Sequence, residues 1–143
     1  MIIPTNINLF GPAQTTGSAI TDTAASPKWV GMVLSGSTHR TPFSKGVLPV
    51  ESARMLVLWA PRNTANYVRF VSCDDGPTNI VELARVQGNG NMGPSAQAVD
   101  ITAALSGLIS AGVDKQIGFQ IGGDGVNAWT LYEVQLEINY LMP

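Results

Sequence analysis

The sequence predicts an all-β domain, an antiparallel β-sandwich of the jelly-roll type with one short helix. From residue 29 onward, short apolar segments are separated by Gly, Pro, Asn and Asp, which is typical of many strands with tight connections. Near the C-terminus, apolar and polar residues alternate over two segments, as they do in half-buried strands. No strand–helix–strand alternation is visible, which argues against a parallel sheet. An up-and-down barrel is the alternative architecture.

The first 28 residues are predicted to form an extended N-terminal arm, and residues 29–143 the β-sandwich domain. Residues 11–28 are small and polar, without a period that could hide an apolar face. Several apolar residues precede them, so a loosely packed leading strand over residues 2–10 is an equal alternative.

Three strands are predicted in the middle of the chain. Residues 29–34 form the first. Residues 54–60 are apolar on both faces, as in a central strand packed on each side, and Pro61 ends that strand. Residues 67–72 contain a β-favouring Tyr-Val-Arg-Phe-Val run and are predicted to pair with it through the polar connection at residues 61–66.

One helix is predicted, after a further turn and strand. The Asp-Asp-Gly-Pro sequence at residues 74–77 is a turn, and residues 80–86 form a strand or a short helical piece. Asp100 can accept hydrogen bonds from the free amides of the following turn, and Gly112 ends the helix. Its apolar face consists of Ile101, Leu105, Leu108 and Ile109.

The two C-terminal strands are predicted over residues 115–122 and 130–141, each with one face toward the core and one toward water. A glycine-rich segment, residues 122–128, connects them. The predicted core-facing residues are Ile117, Phe119, Ile121, Tyr132, Val134, Leu136, Ile138 and Tyr140.

The composition limits the classes of function. The 143 residues are 45% hydrophobic and only 13% charged, whereas soluble domains average about 25% charged residues. Eight basic and ten acidic residues give a net charge of -2 without any cluster of one sign. We therefore expect neither nucleic-acid binding nor a disordered chain.

Single cysteine and histidine residues exclude two classes of scaffold. Cys73 has no intramolecular disulfide partner, and His39 alone cannot build a histidine-based zinc site. The N-terminus has neither a basic region nor a long apolar stretch, so we expect no signal peptide, no membrane span and synthesis in the cytoplasm.

No convergent catalytic or cofactor site is predicted. Residues 88–93 match Gly-x-Gly-x-x-Gly, but Pro94 follows and no strand–helix unit surrounds them, so a flexible loop is favoured over a nucleotide site. His39 and Cys73 could in principle act as base and nucleophile. The surrounding sequence instead favours a loop histidine and a buried, inert thiol.

The carboxylates favour turns and surfaces over a metal or glycosidase site. Calcium would need several oxygen ligands, and no Asp-x-Asp-x-Asp-Gly loop occurs. Candidate calcium ligands are Asp22, Glu51, Asp74, Asp75 and Asp124. Glu133 and Glu137 are roughly 13 Å apart along one strand face, too far for a glycosidase pair.

The glycine-rich loop near the C-terminus supplies the candidate binding residues. Trp129 is the aromatic residue that we expect to contact a neighbouring subunit or a glycan, with Asp124 and Asn127 beside it. We assign no catalytic, cofactor-binding or metal-ligating residue.

Residues 116–140 resemble the closing hairpin of small β-sandwich proteins of tailed-bacteriophage virions, such as head decoration or cement proteins. The shared features are Gly-Asp-Gly at residues 123–125, Asn127, and Leu-Tyr opening an alternating strand. The resemblance implies a jelly-roll-like homo-oligomer on a capsid surface that clamps neighbouring capsid subunits, and it implies no catalytic residues.

Three functions are therefore compared. The first is a non-enzymatic cement protein whose partners are the major capsid protein and further copies of itself, as a dimer or trimer. An arm over residues 1–28 would strengthen such contacts by ordering on a neighbour. The second is a carbohydrate-binding or adhesin module using Trp129, Asp124 and Asn127. An enzyme is the third, and no cluster of acid, base and nucleophile supports it.

Overall fold

The computed structural model describes residues 2–10, 28–29, 40–43, 49–74, 78–90, 93–110 and 115–141. These residues form two antiparallel β-sheets and one short helix. This agrees with the predicted all-β class.

The first sheet has four strands in the spatial order β1-β9-β4-β7. Their bounds are Ile2–Phe10 for β1, Thr130–Leu141 for β9, Val50–Ala60 for β4 and Ser95–Asp100 for β7. The second sheet has the order β2-β8-β5-β6, and β3 also pairs with β8. Its strands are Lys28–Trp29 (β2), Arg40–Phe43 (β3), Tyr67–Asp74 (β5), Thr78–Gln87 (β6) and Lys115–Gly122 (β8).

One hydrophobic core joins the two sheets. Its largest side chains include Trp59 and Met55 from the first sheet and Phe70 and Phe119 from the second, all fully buried. Phe70 and Phe119 are register partners whose ring centroids lie 5.6 Å apart. Burial of such side chains on alternate positions of both sheets is the main driving force for folding.

Both predicted hairpins are wrong, because each connects strands of different sheets. β4 pairs with β9 and β7, whereas β5 pairs with β6 and β8. Residues 61–66 and 123–129 therefore cross between the sheets instead of closing hairpins. Alternating apolar and polar residues show only that one face of a strand points toward the core. Strands of both sheets have such a face, so the pattern does not reveal which strands pair.

The two C-terminal strands also differ from their predicted burial. In β8 both faces are buried, including Gln120, which is 3% exposed. In β9 the register with β4 shifts, so that Leu58 lies opposite Glu133 and Trp59 lies opposite Leu131, and Tyr132 is the extra residue of the bulge. This bulge turns Leu131 into the core and leaves Tyr132 39% exposed, so the predicted core position of Tyr132 is wrong.

β4 is central by hydrogen bonding but not packed equally on its two faces. Met55, Val57 and Trp59 are fully buried, while Leu56 and Leu58 on the opposite face are half-buried. The prediction of two packed faces is wrong, because a run of apolar residues does not reveal which face meets a second layer.

The N-terminal segment forms a paired strand over the described residues. β1 runs antiparallel to β9, with Ile2 opposite Leu141 and Asn8 opposite Gln135. For residues 2–10 the structure therefore agrees with the alternative prediction, a leading strand, and not with an extended arm. Residues 11–27 lie outside the described residues, so the domain boundary at residue 28 stays a prediction.

The helix α1, Thr102–Ser110, begins after Asp100 as predicted. The Asp100 Oδ1 atom accepts a hydrogen bond from the Thr102 amide at 2.8 Å. The Thr102 hydroxyl in turn accepts one from the Ala53 amide at 2.9 Å, which fixes the start of α1 against β4. Ile101 and Leu105 are buried in the core.

Candidate functional site

Three connections between the sheets meet at one end of the molecule, which we call the loop end. It consists of residues 61–66, 87–90 and 123–129. The Gly88 amide donates to the Asn66 carbonyl at 2.8 Å, and the Asn63 side-chain amide donates to Asp124 Oδ2 at 2.8 Å. These bonds link the loop that contains the predicted binding residues to its neighbours.

Asp124 is exposed, yet it accepts four hydrogen bonds. Its Oδ1 atom accepts from the amides of Val126 and Asn127, each at 2.9 Å. Its Oδ2 atom accepts from the side-chain amides of Asn127 at 2.7 Å and Asn63 at 2.8 Å. These donors, led by the Asn127 amide, lower the pKa of Asp124 far below its ordinary value. The carboxylate therefore stays ionised at neutral pH and orders the loop.

Trp129 has a different environment from the one predicted. Its side chain is 3% exposed and meets Trp59 edge to face, with ring centroids 5.7 Å apart. The expectation that this ring points outward is thus corrected, because the aromatic edge contact and the core bury it. Asp124 and Asn127 do lie together at the surface, as predicted.

The most exposed large hydrophobic side chain of the described residues is at the tip of the same loop. Val126 is 80% exposed, and its amide is held by Asp124. Gly125 precedes it with φ of 78°, a conformation that favours glycine. Val126 was not among the predicted binding residues, although an apolar residue inside a glycine-rich turn is a signal in the sequence that points to it.

Within the described residues, packing and backbone conformation explain the glycines of the Gly-x-Gly-x-x-Gly match at residues 88–93. A Cβ atom added to Gly88 would lie 2.2 Å from the Asn63 carbonyl oxygen, so only glycine fits there. Gly90 has φ of 88°. Both glycines therefore serve the loop conformation, in line with the predicted loop; residues 91–92 lie outside the described part.

A second surface lies on the outer face of the first sheet. Asp100 on β7, Arg54 on β4 and Glu137 on β9 are register partners in one row across three strands. Arg54 forms an ion pair with Glu137. The row borders a cleft of about 180 Å³, which is lined by Ser52, Ala53, Arg54, Asp100, Glu137 and Asn139.

The electrostatics of this row are set by its hydrogen bonds. The Glu137 carboxylate raises the pKa of Arg54, first through their hydrogen bond and then through its charge. The Thr102 backbone amide lowers the pKa of Asp100. One cation between two carboxylates gives the row a net negative charge. Sequence analysis named Asp100 only as a helix cap and did not bring the three residues together, because their proximity depends on strand register.

The outer face of the second sheet is more closed. Tyr67 is 3% exposed, and the Arg85 guanidinium lies over its ring, 3.9 Å from the centroid. Arg85 also pairs with Glu82 at 2.7 Å. The side chain of Arg69 donates to Gln120 at 2.9 Å. This polar network covers the backbone of β8.

The remaining candidate groups form no described reactive cluster. Cys73 is fully buried and free. His39, Asp22 and Asp75 lie outside the described residues. Within the described ranges, no group of three or more His, Cys, Asp or Glu side chains could hold a metal ion. No helix in the same ranges has the length and hydropathy of a membrane span.

No protein-family model matches the chain, and no curated protein matches it significantly. Function is therefore inferred from the strand order and the surfaces described above.

Proposed function

We propose that this chain is a jelly-roll β-sandwich that acts as a non-enzymatic structural protein of a virion. In this role it decorates and stabilises a phage capsid, through contacts with the major capsid protein and with further copies of itself as a dimer or trimer. Its proposed location is the capsid surface, and the role needs no cofactor.

The jelly-roll assignment is supported by the nesting of the strand pairs. β1 pairs with β9, β2 and β3 pair with β8, β4 pairs with β7, and β5 pairs with β6. If β2 and β3 count as one interrupted strand, these are the pairs of a single long hairpin of eight strands. Wrapping such a hairpin into two sheets gives a jelly roll.

The assembly role depends on one observation, the open outer face of the first sheet. At its centre Leu56 and Leu58 are only half-buried, and their register partners on β7, Ala98 and Ala96, are exposed. A sheet face that presents apolar side chains between polar ones is typical of a protein interface. The low charge content of the chain supports the same role.

The carbohydrate-binding alternative has less support from the geometry of the loop end. A sugar-stacking aromatic must offer one face of its ring, whereas Trp129 is in the core. The acceptor atoms of Asp124 are already engaged within the loops. Asn127 is the predicted residue whose replacement by Ala would test glycan binding most directly.

The test is sedimentation velocity over a wide concentration range, followed by co-sedimentation with purified shells of the parent virus. We expect a dimer or trimer that binds shells. Leu56→Glu introduces charge at the centre of the open face and should weaken self-association or shell binding at least tenfold. Val126→Glu introduces the same charge at the loop tip and is the matched control.

Circular dichroism establishes that both variants remain folded. A chain that is monomeric at every concentration and does not bind shells would overturn the proposal. Equal effects of the two variants would remove the open face from the mechanism.

A further inference from the structure

β1 is held almost entirely by one neighbour. It is the edge strand of the first sheet, and β9 is the only element it contacts extensively among those described. Ile2 is 54% exposed, and Pro4 is exposed as well. Among the described elements, β1 is paired through its backbone with β9, and any identical strand in the same register can make these pairs.

The connection that follows β1 is much longer than the comparable connections. Four other connections cross between the sheets without a helix, at residues 44–49, 61–66, 88–94 and 123–129, and each contains six or seven residues. The connection from β1 to β2 contains 17 residues, 11–27. A crossing between these sheets thus needs about ten residues fewer than this connection has.

The extra length is enough to reach a neighbouring molecule. About ten extended residues span at most roughly 33–36 Å. A four-stranded sheet is only about 15 Å wide between its outer strands. β1 can therefore occupy the edge of another copy's first sheet while Lys28 and Trp29 remain paired with β8 of their own copy.

We propose that β1 is exchanged between copies of this chain, so that residues 2–10 of one copy pair with β9 of the next. Exchange keeps every β1–β9 pair, so its free energy depends on the connection and on the contacts between copies. This inference rests on the proposed assembly role, because an oligomer holds a neighbouring β9 edge at high effective concentration. Backbone hydrogen bonds between the exchanged β1 and β9 of the next copy then stabilise the oligomer.

Cysteine cross-linking across the β1–β9 pair tests the exchange. Asn8 is the register partner of Gln135, and opposed residues in antiparallel strands have Cα atoms about 4.5–5.5 Å apart, within the range for a disulfide. One chain carries Asn8→Cys and another, with a different mass tag, carries Gln135→Cys. Both also carry Cys73→Ala, since Cys73 is the single native cysteine.

The two chains are unfolded together, refolded, oxidised and separated on a non-reducing gel. In an exchanged dimer, random mixing gives about half of the dimers one chain of each kind, and these should become covalent heterodimers. A short bis-maleimide cross-links the same cysteines where oxidation is incomplete. A second register pair, Asn6→Cys with Glu137→Cys, repeats the measurement two pairs along the strand.

The matched control uses the other side of the same β9 residue. Gln135 is also the register partner of Leu56 on β4, which belongs to the body of the domain. Mixed chains carrying Leu56→Cys, which keeps an apolar side chain on the open face, and Gln135→Cys should form no covalent heterodimer although sedimentation velocity shows the same oligomer as the wild type. Equal cross-linking in this control would contradict exchange of β1 alone.

The chain carrying both Asn8→Cys and Gln135→Cys separates the possible outcomes. Interchain bonds in both experiments support exchange. Intrachain bonds within an oligomer seen by sedimentation would overturn exchange and leave the assembly role intact. Intrachain bonds in a persistent monomer that also fails to bind shells would overturn both proposals.

Discussion

The two sheets share a core but differ on their outer faces. On the second sheet, even side chains of the outer face, which points away from the shared core, are buried. Four of them are each no more than 3% exposed: Tyr67, Val71, Cys73 and Gln120. On the first sheet, the outward side chains are half-buried or exposed, as the pattern along β4 shows. The first sheet therefore leaves apolar side chains accessible at its centre, whereas the exposed apolar side chains of the second sheet, Ile80 and Val81, lie on its edge strand β6.

The difference shows that the exposure of a strand's outer face depends on which side chains pack over it. β8 contains glycines and glutamines on its outer face, and the Tyr67 ring lies directly over Gly122. Small residues let the aromatic and guanidinium groups come close to the backbone there. On the first sheet, Arg54 and Glu137 instead neutralise each other at the surface.

The largest expected effect belongs to the core that both sheets share. Phe119→Ala removes a fully buried ring that contacts Phe70, and should lower the free energy of unfolding by about 3–5 kcal/mol. Urea denaturation followed by fluorescence measures the change. A loss below about 1 kcal/mol would mean that the sheets do not pack on this side chain.

The closed face of the second sheet is tested by Gly122→Ala. The new Cβ atom would lie 2.4 Å from the Tyr67 hydroxyl oxygen, so the buried ring must shift, at a cost of about 1–3 kcal/mol. Gly107→Ala is the control, because nothing lies within 4 Å of its Cβ position on the exposed side of α1. That change should stabilise the protein by up to about 1 kcal/mol, and the same sign for both variants would contradict the structure.

Acid should weaken the loop that joins the two sheets. The pKa of Asp124 is lowered in the folded state, so its stabilisation is complete above the unfolded value of about 3.9 and is lost as the pH falls below it. We expect the Tm of the wild type to drop between about pH 4 and pH 2. Asp124→Asn should show a shallower drop over this window, whereas Thr64→Ser, at an exposed and uncharged position of the neighbouring loop, should follow the wild type.

The smallest effect is expected on the open face. Ala98→Thr places a β-favouring residue at an exposed position of β7 and should change the free energy of unfolding by no more than about 0.5 kcal/mol. Val71→Thr replaces a methyl group by a hydroxyl on the closed face, where the side chain is fully buried, and should cost about 1–3 kcal/mol. Equal tolerance at the two sites would remove the contrast between the sheets.

Periodicity in the sequence predicted which segments are strands better than it predicted how they pair. β5, β8, β9 and α1 followed from local patterns, and the Asp100 cap was confirmed. Pairing was not readable, because the inner faces of both sheets contribute to the same core. β7 was missed, since alanines favour strands weakly and its Gln97 turns inward to accept a hydrogen bond from the Trp59 indole at 2.6 Å.

The candidate surfaces were predicted only in part. The turn at Asp124 was predictable because Gly-Asp-Gly is a turn sequence whose polar side chain binds its own backbone, whereas the binding role of Asp124 and Asn127 stays a prediction. The burial of Trp129 was not predictable, because its contact with Trp59 joins positions 70 residues apart. The row formed by Asp100, Arg54 and Glu137 likewise depends on the register of three strands.

The pairing of Ile2 with Leu141 also determines where a protein or dye attached to either end of the described chain would lie. Both ends of the described chain lie at the same corner of the first sheet, at the edge formed by β1. A reporter or cargo fused before β1 and another fused after β9 would leave the domain side by side. In an assembly that exchanges β1, however, the two labels of one chain would lie on neighbouring copies. One chain carrying a donor–acceptor dye pair, diluted into an excess of unlabelled chains, would therefore report the exchange as an increased distance between its own dyes.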